Sequence, residues 1–337
     1  MRALVFDGPH VFHIEERPLP EPGPAEVRIR MAYVGICGSD LHGYTGESGR
    51  RVPGMVMGHE ASGWVEAIGP GVTTSKIGDP VTFNPAVSCD GLCGHTVDNH
   101  CTQLRVIGVT PSLQGAFADA IVVPADRVVP IENLTMEWAA AAEPMAVALQ
   151  AVRRAGVSPG DSVLIIGGGM IGQCIAHAAR LEGAGLITVS DGVEHRRSLA
   201  TEAGFDAIPP EAVERLPLVD RAFDAVGLTQ TASSAIRAVV KGGIVCFVGL
   251  GNPEVSIPLF DVVVPERTIV GTFAYTDAVF LEAVELLAAR RLDVSRLLGS
   301  VEDFDGIAAA FEDLANGNRQ DVKIMLATGA VPPDPAT

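Results

Sequence analysis

Residues 162–181, SVLIIGGGMIGQCIAHAARL, place three consecutive glycines between an apolar strand pattern and an apolar helix pattern. Gly167, Gly169 and Gly172 have the G-x-G-x-x-G spacing, which is a weak signal alone but an informative one between a strand and a helix. Glycine permits the tight turn and the close approach of a pyrophosphate, and the helix N-terminus offers free N–H groups and a positive dipole end. The stretch therefore predicts a parallel α/β sheet that binds a dinucleotide; the alternative is a packing turn without a ligand.

The strand after this helix ends at Asp191, where a carboxylate can accept a hydrogen bond from a ribose 2′-hydroxyl and repels a 2′-phosphate. NAD is therefore favoured over NADP, although the nearby Arg196 and Arg197 could accept a phosphate. Val248 follows another predicted strand, where it either lines the cofactor groove or belongs to an ordinary strand-end turn. The residues predicted to bind the dinucleotide are Gly167, Gly169, Met170, Ile171, Gly172, Asp191, Arg196 and Val248.

The pattern of the chain changes near residue 150. Before residue 135, short apolar runs alternate with Gly, Pro and Asp turns, which is typical of a β-rich region. After residue 150, strands alternate with helical patterns and are apolar throughout, as in a doubly wound parallel sheet covered on both faces. The length of 337 residues is consistent with about two domains. The less regular C-terminal part could return to the first domain.

Charge and hydropathy exclude several classes of protein. The formal net charge is −17, which disfavours nucleic-acid binding because that function needs a basic face. We find no apolar run of about 18 residues, so we expect no membrane span. The N-terminal MRALVFDGPH lacks the apolar core of a signal peptide, and the six cysteines are clustered rather than spread as a disulfide framework. We therefore expect a cytoplasmic protein whose thiols serve in metal binding or in the core.

Three short motifs of the first 150 residues combine side chains that bind metals or transfer protons. Cysteine, histidine and glutamate are zinc ligands, and a catalytic zinc needs three protein ligands and an open position. Glu143 lies in an alanine-rich apolar helix, where an unpaired carboxylate is costly. Taken singly, the ordinary alternatives are a core cysteine, a satisfied histidine and a helix-end charge. The residues are Cys37, Ser39, Asp40, His42, His59, Glu60 and Glu143.

The order of the motifs resembles that of a known family. GICGSDLH, MGHEASGWVEAIGPGV, GDPV, EPMAVALQAV and VLIIGGGMIG follow one another as in the zinc-dependent medium-chain alcohol dehydrogenases. The pair Glu143-Pro144 is similar to the polyol (sorbitol-like) and threonine dehydrogenase branch. The resemblance implies a GroES-like β-rich catalytic domain of residues 1–151 and 291–337 and a Rossmann domain of residues 152–290. It also implies a homodimer or homotetramer.

The resemblance assigns a role to each polar residue of the metal-binding motifs. Cys37 and His59 would bind the catalytic zinc. Glu60 and Glu143 would fill the remaining protein positions, either directly, through water or by exchange with substrate. Asp40 would orient the ring of His59.

The resemblance also implies a reaction. Ser39 and His42 would carry the hydroxyl proton of the substrate away, and hydride would pass to the nicotinamide. The implied activity is the NAD-linked interconversion of a secondary alcohol and its ketone, on a polyol, sugar alcohol or hydroxy-amino acid. Tyr44, Arg50 and Arg51 are candidate substrate-wall residues. Either arginine could meet a carboxylate or a phosphate, but we expect both to be solvated.

Two alternatives come from other classes of protein. The first is a zinc-independent reductase of the quinone reductase kind, which binds NAD(P)H on the same fold but lacks the cysteine and histidine ligands. The second is a non-enzymatic dinucleotide-binding protein, which would need neither Ser39 nor His42. Metal analysis and a screen of secondary alcohols distinguish the three.

The loop SCDGLCGHTVDNHC, residues 88–101, is a second candidate metal site. Many members of the family hold a structural zinc with four cysteines spaced C-x2-C-x2-C-x7-C, and only the interval from Cys93 to Cys101 matches that spacing. Cys89, Cys93 and Cys101 could still form a closed tetrahedral site with His95 as the fourth ligand. Asp90 and His100 are alternative fourth ligands, and a lobe without metal is the remaining possibility.

Overall fold

The computed structural model describes residues 1–89 and 91–333 of the chain. Two compact units share the chain, and both are discontinuous. Unit 1 consists of Met1–Glu143, Thr276–Arg290 and Leu298–Thr337, and unit 2 of Pro144–Tyr275 and Arg291–Leu297. The chain thus first passes from unit 1 to unit 2 between Glu143 and Pro144. Compact units and family domains need not share their ends, so the predicted domain bounds stay a prediction.

The described residues form strands, α-helices and short 3₁₀ helices with the following bounds. The strands of the described residues are β1 (Arg2–Gly8), β2 (Val11–Glu16), β3 (Glu26–Gly35), β4 (Met55–Val56), β5 (Glu60–Ile68), β6 (Pro80–Phe83), β7 (Ala86–Val87), β8 (Arg105–Val106), β9 (Ala120–Pro124), β10 (Val128–Pro130), β11 (Ser162–Ile166), β12 (Leu186–Ser190), β13 (Asp206–Ile208), β14 (Val219–Asp224), β15 (Val239–Phe247), β16 (Thr268–Gly271), β17 (Leu298–Glu302) and β18 (Lys323–Ala327). The α-helices are α1 (Gly38–Tyr44), α2 (Met136–Ala140), α3 (Ala142–Arg154), α4 (Met170–Leu181), α5 (Glu194–Glu202), α6 (Thr229–Ala238), α7 (Leu259–Val263), α8 (Asp277–Ala288) and α9 (Phe304–Ala315). Short 3₁₀ helices span Asp98–His100, Ala125–Arg127 and Pro210–Arg215.

Unit 1 is built around a mainly antiparallel sheet with the strand order β10-β6-β5-β3-β18-β17. Strand β3 is central: β5 lies along one edge, while β9 and β18 pair with successive parts of the other. Val27, Ile29 and Met31 of β3 are fully buried in the core. Because β17 and β18 come from the C-terminal end of the chain, residues separated by almost the whole sequence meet on this sheet. Two smaller sheets, β2-β1-β4 and β7-β8, complete the unit.

Unit 2 contains a six-stranded sheet with the order β13-β12-β11-β14-β15-β16, and all of its strand pairs are parallel. Its core strands are apolar throughout; Leu164, Ala222 and Val245, for example, are completely buried. The predicted doubly wound parallel sheet is therefore confirmed. The chain winds outwards from β11 in both directions, so the carboxyl ends of β11 and β14 form the switch point where ligands bind in sheets of this kind.

None of the helices in the described ranges combines the length and the apolar character needed to cross a bilayer.

Candidate active site and metal sites

The predicted metal ligands Cys37, His59 and Glu60 meet because of the register between two strands. Cys37 lies just beyond the end of β3, and His59 and Glu60 lie at the start of β5. Strands β3 and β5 pair antiparallel with Gly35 opposite Glu60, so the end of one strand faces the start of the other. One ligand atom from each of the three residues lies within 4.8 Å of the other two. A thiol, an imidazole and a carboxylate at this spacing form a donor set that suits zinc.

Two residues of this donor set are shielded from solvent. His59 is 4% exposed and Glu60 is 1% exposed. Buried charged groups are costly unless they are paired or coordinate a metal. Burial alone would lower the pKa of His59, but the neighbouring Asp40 and Cys37 raise it well above its ordinary value. Asp40 and Cys37 thus make the surroundings of His59 favourable to positive charge. The fit to a zinc ion rests on the donor types, a thiol, an imidazole and a carboxylate.

Asp40 lies behind His59, as a residue that orients a metal ligand should. It is completely buried in the first turn of α1, and its Oδ2 accepts a hydrogen bond from the backbone N of Cys37 at 3.2 Å. Its Oδ1 lies 3.6 Å from Nδ1 of His59, an ion-pair distance rather than a hydrogen bond. Burial would raise the pKa of Asp40, but His59 and Arg51 lower it below its ordinary value. With Nδ1 facing this carboxylate, Nε2 of His59 is the nitrogen left for a metal.

Glu60 has a partner that the sequence did not point to. The ammonium of Lys323, from β18, donates hydrogen bonds to Oε2 of Glu60 and, at 2.9 Å, to the carbonyl of Ile36. Lys323 is 2% exposed. A Cβ atom on Gly35 would lie 2.5 Å from Oε2 of Glu60, so glycine leaves the room that this pair needs. A lysine inside the apolar run VKIMLA, residues 322–327, was the available signal, but nothing in the sequence showed which acid it would meet.

Glu143 is not part of the group formed by Cys37, His59 and Glu60. It lies half-buried in the first turn of α3. Burial would lower the pKa of Lys323, but Glu60, Cys37 and, more weakly, Glu143 raise it, so Glu143 lies within electrostatic range of the site. The predicted role of Glu143 as a ligand stays a prediction.

The two predicted proton-relay residues lie three positions apart on α1, at the spacing that places side chains on one helix face. The Oγ atom of Ser39 is buried and has no hydrogen-bond partner among residues 1–89 and 91–333. The side chain of His42 is 39% exposed, and its Nδ1 lies 2.7 Å from Oε2 of Glu47. One side chain of the pair therefore ends in the interior and the other reaches solvent.

The expectation that Arg50 and Arg51 are both solvated is confirmed for Arg50 and wrong for Arg51. Arg50 is exposed, whereas the side chain of Arg51 is 2% exposed. The difference is tertiary, because the loop after α1 turns the side chain of Arg51 back onto that helix. Two adjacent arginines in a polar stretch of sequence do not indicate that one of their side chains will be buried.

The glycine turn of unit 2 has the geometry that its sequence predicts. Gly167 has a φ of +100°, a conformation that favours glycine. A Cβ atom on Gly172 would lie 1.7 Å from the carbonyl O of Gly167, so only glycine allows α4 to approach the turn this closely. Gly169 precedes α4, and nothing among the described residues would lie within 4 Å of a Cβ atom there. Met170 and Ile171 form the first helical turn, so open space lies before a helix N-terminus.

Asp191 joins the end of β12 to the glycine turn. It is 8% exposed; its Oδ2 accepts the N–H of Gly168 at 2.7 Å, and its Oδ1 accepts that of Val193 at 2.7 Å. Arg196 approaches the same carboxylate, with Nη1 3.6 Å from Oδ2. Val248 follows β15 and donates its N–H to the carbonyl of Asp224 at 3.0 Å. These residues all lie at the carboxyl edge of the parallel sheet, where a dinucleotide binds in this fold.

The second candidate metal site is assembled from the loop between β7 and β8. Cys89, Cys93, His95 and Cys101 each present a ligand atom within 4.8 Å of the other three. The Sγ atom of Cys101 lies 3.4 Å from that of Cys89 and 3.8 Å from that of Cys93. Nδ1 of His95 lies 3.1 Å from Sγ of Cys93 and 3.8 Å from Sγ of Cys89. A tetrahedral zinc with ordinary Zn–S and Zn–N bonds has edges of roughly 3.5–3.8 Å, so this set fits one.

Two other residues of this loop were proposed as ligands. His100 is exposed and lies outside the group of four, and Asp90 falls outside the described residues. Hydrogen bonds with Thr102 and His95 lower the pKa of Cys93 to about 5, so its thiolate, the form that binds metals, is favoured.

Two family models match the chain. The alcohol dehydrogenase GroES-like domain matches residues 23–133, and the zinc-binding dehydrogenase model matches residues 170–289. The first model covers the β-rich part of unit 1 from β3 onwards, and the second covers the parallel sheet of unit 2 except β11. They confirm the predicted pairing of a GroES-like domain with a Rossmann-type domain.

Similar proteins extend over almost the whole chain. The L-idonate 5-dehydrogenase of Vitis vinifera is 34% identical over 91% of this chain and 89% of its own. The sorbitol dehydrogenase of Arabidopsis thaliana is 34% identical over 91% of this chain and 90% of its own. Among solved structures, a zinc-binding dehydrogenase of Sinorhizobium meliloti bound to NADP has a TM-score of 0.90 at 28% identity, over 97% of this chain and 99% of its own.

These likenesses favour a dehydrogenase over a zinc-independent quinone reductase, which would not need the grouped Cys37, His59 and Glu60. They support zinc and a nicotinamide cofactor in general terms. The chain therefore belongs to the zinc-dependent medium-chain polyol dehydrogenase family and is an oxidoreductase.

Proposed function

We propose that the protein is an NAD-dependent polyol dehydrogenase that interconverts a secondary alcohol of a sugar alcohol or sugar acid and its ketone. The observation that carries the proposal is the buried group of Cys37, His59 and Glu60 in a chain related to sorbitol and L-idonate dehydrogenases. Among the substrates considered from the sequence, these relatives favour a polyol over a hydroxy-amino acid.

In this proposal Cys37 and His59 hold zinc, with Glu60 and Glu143 as the further carboxylates. When bound there, zinc would supply Lewis-acid chemistry that makes a substrate hydroxyl acidic near neutral pH. Asp40 keeps the ring of His59 in place by facing its Nδ1. These residues hold the site, and hydride transfer itself is the chemistry of the nicotinamide.

Ser39 and His42 move the proton. The Oγ atom of Ser39 is the buried acceptor, and because it bonds to no other group in the described part of the chain, it is available to a substrate hydroxyl. His42 is the outer member, and its exposure lets it exchange the proton with water. General acid–base groups of this kind typically contribute about 10²–10⁴-fold to a rate.

We propose NAD rather than NADP as the physiological cofactor. Asp191 places a carboxylate at the carboxyl end of β12, and such an acid accepts a ribose 2′-hydroxyl and repels a 2′-phosphate. Arg196 lies against this carboxylate rather than apart from it, which lowers its availability for a phosphate.

A panel of sugar alcohols and sugar acids with NAD and NADP, read by the absorbance of the reduced cofactor, tests the proposal. We expect turnover with at least one polyol and a kcat/KM at least about tenfold higher with NAD, which corresponds to roughly 1.4 kcal/mol. Asp191→Asn keeps the size of the side chain but removes its charge, so it should lower the ratio of kcat/KM with NAD to kcat/KM with NADP. Turnover of quinones but of no alcohol would support the zinc-independent reductase, and NAD binding without any turnover would support a non-enzymatic protein.

We also propose a second, structural zinc held by Cys89, Cys93, His95 and Cys101. Four protein ligands close the coordination shell and leave no position for substrate. The zinc-loaded protein should contain two zinc atoms per chain by inductively coupled plasma mass spectrometry. His95→Ala should lower the content towards one and the Tm with it, whereas His100→Ala should change neither. A content of one in the unmodified protein would refute the second site.

We propose a cytoplasmic homodimer or homotetramer. Strand β16 is an edge of the six-stranded sheet, and α7 exposes Phe260 at 83% and Val263 at 62%. An open strand edge beside exposed apolar side chains favours pairing with a second copy of the chain. Thiols that act as metal ligands must stay reduced, which supports the cytoplasm.

A further inference from the structure

Arg51 is a buried cation that the proposed reaction does not use. It lies in the loop after α1, and its guanidinium turns back onto that helix. Nη2 donates to the carbonyl of Ser39 at 3.2 Å and Nη1 to the carbonyl of Val109 at 3.0 Å. Nε points at Sδ of Met57 at 3.1 Å. The side chain therefore bonds the first turn of α1 to two other segments of unit 1.

The helix is shaped to accept this side chain. A Cβ atom on Gly43 would lie 2.7 Å from Cγ of Arg51 and 3.0 Å from its Nε. Gly43 has no need of glycine for its backbone, since it lies within α1 and is absent from the residues with positive φ. Its missing side chain instead leaves the space in which Arg51 lies across the helix.

Arg51 also faces the carboxylate behind the metal ligands. Oδ1 of Asp40 lies 3.8 Å from Nη2 of Arg51 and 3.6 Å from Nδ1 of His59. This oxygen and this nitrogen are buried and have no hydrogen-bond partner among the described residues. One carboxylate oxygen is thus held between a guanidinium, which stays charged in proteins, and the imidazole of a predicted ligand.

We propose that Arg51 is a positioning residue for the metal site: it holds the first turn of α1 and the carboxylate of Asp40 so that Asp40 orients His59. The proposal rests on the proposed zinc role of Cys37 and His59. Arg51 touches neither of them with a hydrogen bond, and it acts through Ser39 and Asp40.

A purely electrostatic role makes the opposite prediction. A positive charge near a cation site repels the metal, so removing that charge alone would tighten zinc binding. A positioning role requires that removal weakens binding, because the ligand His59 loses the support of its oriented partner. Loss of such outer partners typically costs about 10–100-fold in metal affinity. The direction in which zinc affinity changes when Arg51 is replaced therefore distinguishes the positioning role from the electrostatic one.

The test compares Arg51→Met, Arg51→Lys and the control Arg50→Met, which changes the exposed neighbour. Zinc release into a colorimetric chelator is followed over time. Because the protein is proposed to hold two zinc ions, the phase of the Cys37 and His59 site is identified as the one that is missing in Cys37→Ala. We expect release from Arg51→Met to be about 10–100-fold faster, because a loss of metal affinity of that size should appear mainly as faster dissociation. Arg51→Lys should be intermediate, since an ammonium cannot bond both carbonyls at once. Arg50→Met should match the unmodified protein.

The absorption spectrum of the cobalt(II)-substituted protein gives a second measurement. Its bands report ligand geometry, so they should shift in Arg51→Met and stay unchanged in Arg50→Met. Unchanged or slower zinc release from folded Arg51→Met overturns the proposal. If that variant does not fold, release from Arg51→Lys at the rate of the unmodified protein overturns it.

Neither measurement requires turnover, so failure of the two proposals can be told apart. If the zinc-release phase that depends on Cys37 has the same rate in the Arg51 variants, the positioning role is refuted and the proposed dehydrogenase function is unaffected. Absence of any Cys37-dependent zinc refutes the proposed zinc site, and the role of Arg51 with it. If zinc binding depends on both Cys37 and Arg51 but the protein turns over no polyol, the positioning role is supported and the proposed substrate class is refuted.

Discussion

Cys37→Ala is expected to lower kcat/KM for polyol oxidation by roughly a thousandfold or more. Lewis-acid stabilisation by a metal is worth several kcal/mol, and each 1.4 kcal/mol is about tenfold in rate. Zinc content should fall by one atom per chain, because Cys37 supplies the thiolate of the buried group with His59 and Glu60. Binding of NADH should be unchanged, since the glycine turn belongs to unit 2 and Cys37 to unit 1. Metal analysis, steady-state kinetics and NADH fluorescence measure the three quantities.

A matched substitution controls for the loss of a buried thiol. Cys246 on β15 is completely buried and belongs to no group of candidate metal ligands among the described residues. Cys246→Ala should cost some stability through the cavity it leaves, while zinc content and kcat/KM stay near those of the unmodified protein. A Cys37→Ala protein that keeps its zinc and its activity would exclude the proposed catalytic site.

Two glycines of the same turn should both lose NAD affinity when a methyl group is added, but only one of them should lose stability. Gly169→Ala should leave the Tm nearly unchanged, because its φ of −71° suits alanine and the new Cβ atom meets nothing among the described residues. It should weaken NAD binding, since the methyl group enters the space before α4 that a pyrophosphate would need. A steric cost of about 1–3 kcal/mol corresponds to a rise in Kd of roughly 5–150-fold.

Gly172→Ala should lower both stability and affinity. Its Cβ atom would overlap the carbonyl of Gly167, so α4 must move away from the turn. Thermal unfolding and fluorescence titration with NADH separate the two variants. Wild-type affinity in Gly169→Ala would show that the dinucleotide does not approach this turn, whereas an equal loss of Tm in both variants would show that the space at Gly169 is not open.

The parallel sheet and its turn were predictable because their signals are local. A strand, a tight turn and a helix follow one another within 162–181, and the need for glycine arises from contacts inside that segment, such as that of Gly172 with Gly167. Asp191 lies one strand further along and meets Gly168 because adjacent parallel strands align their carboxyl ends. Short-range geometry thus sufficed for the candidate cofactor residues, although their binding role stays a prediction.

The two candidate metal sites show the limit of local spacing. The loop from Cys89 to Cys101 looks like a metal site in the sequence but departs from the family spacing. Its thiols and His95 nonetheless lie at distances that suit a tetrahedral ion, because the loop folds back on itself between β7 and β8. Ligand spacing along a chain restricts which residues can meet, but the fold of the loop decides which do.

The residues that contact the buried group of Cys37, His59 and Glu60, or the Asp40 carboxylate beside it, could not be identified from the sequence. Lys323 meets Glu60 because β18 pairs with β3, and β3 with β5. Arg51 meets Asp40 because its loop turns back over Gly43. The sequence does not reveal whether a lysine or an arginine side chain is buried or exposed, because burial depends on the surrounding tertiary structure.

By itself, the sequence determined the parallel sheet, the glycine turn and the residue types available for metal binding, because hydrophobic periodicity and glycine act over a few neighbouring positions. Its ordered motifs also identified the family. Tertiary structure alone decided which of these residues share a site: the register that places Gly35 opposite Glu60, the salt bridge of Lys323, and the burial of Arg51. Those outcomes depend on pairing between strands far apart in the chain, where the energy of a contact is set by packing and desolvation and not by sequence separation.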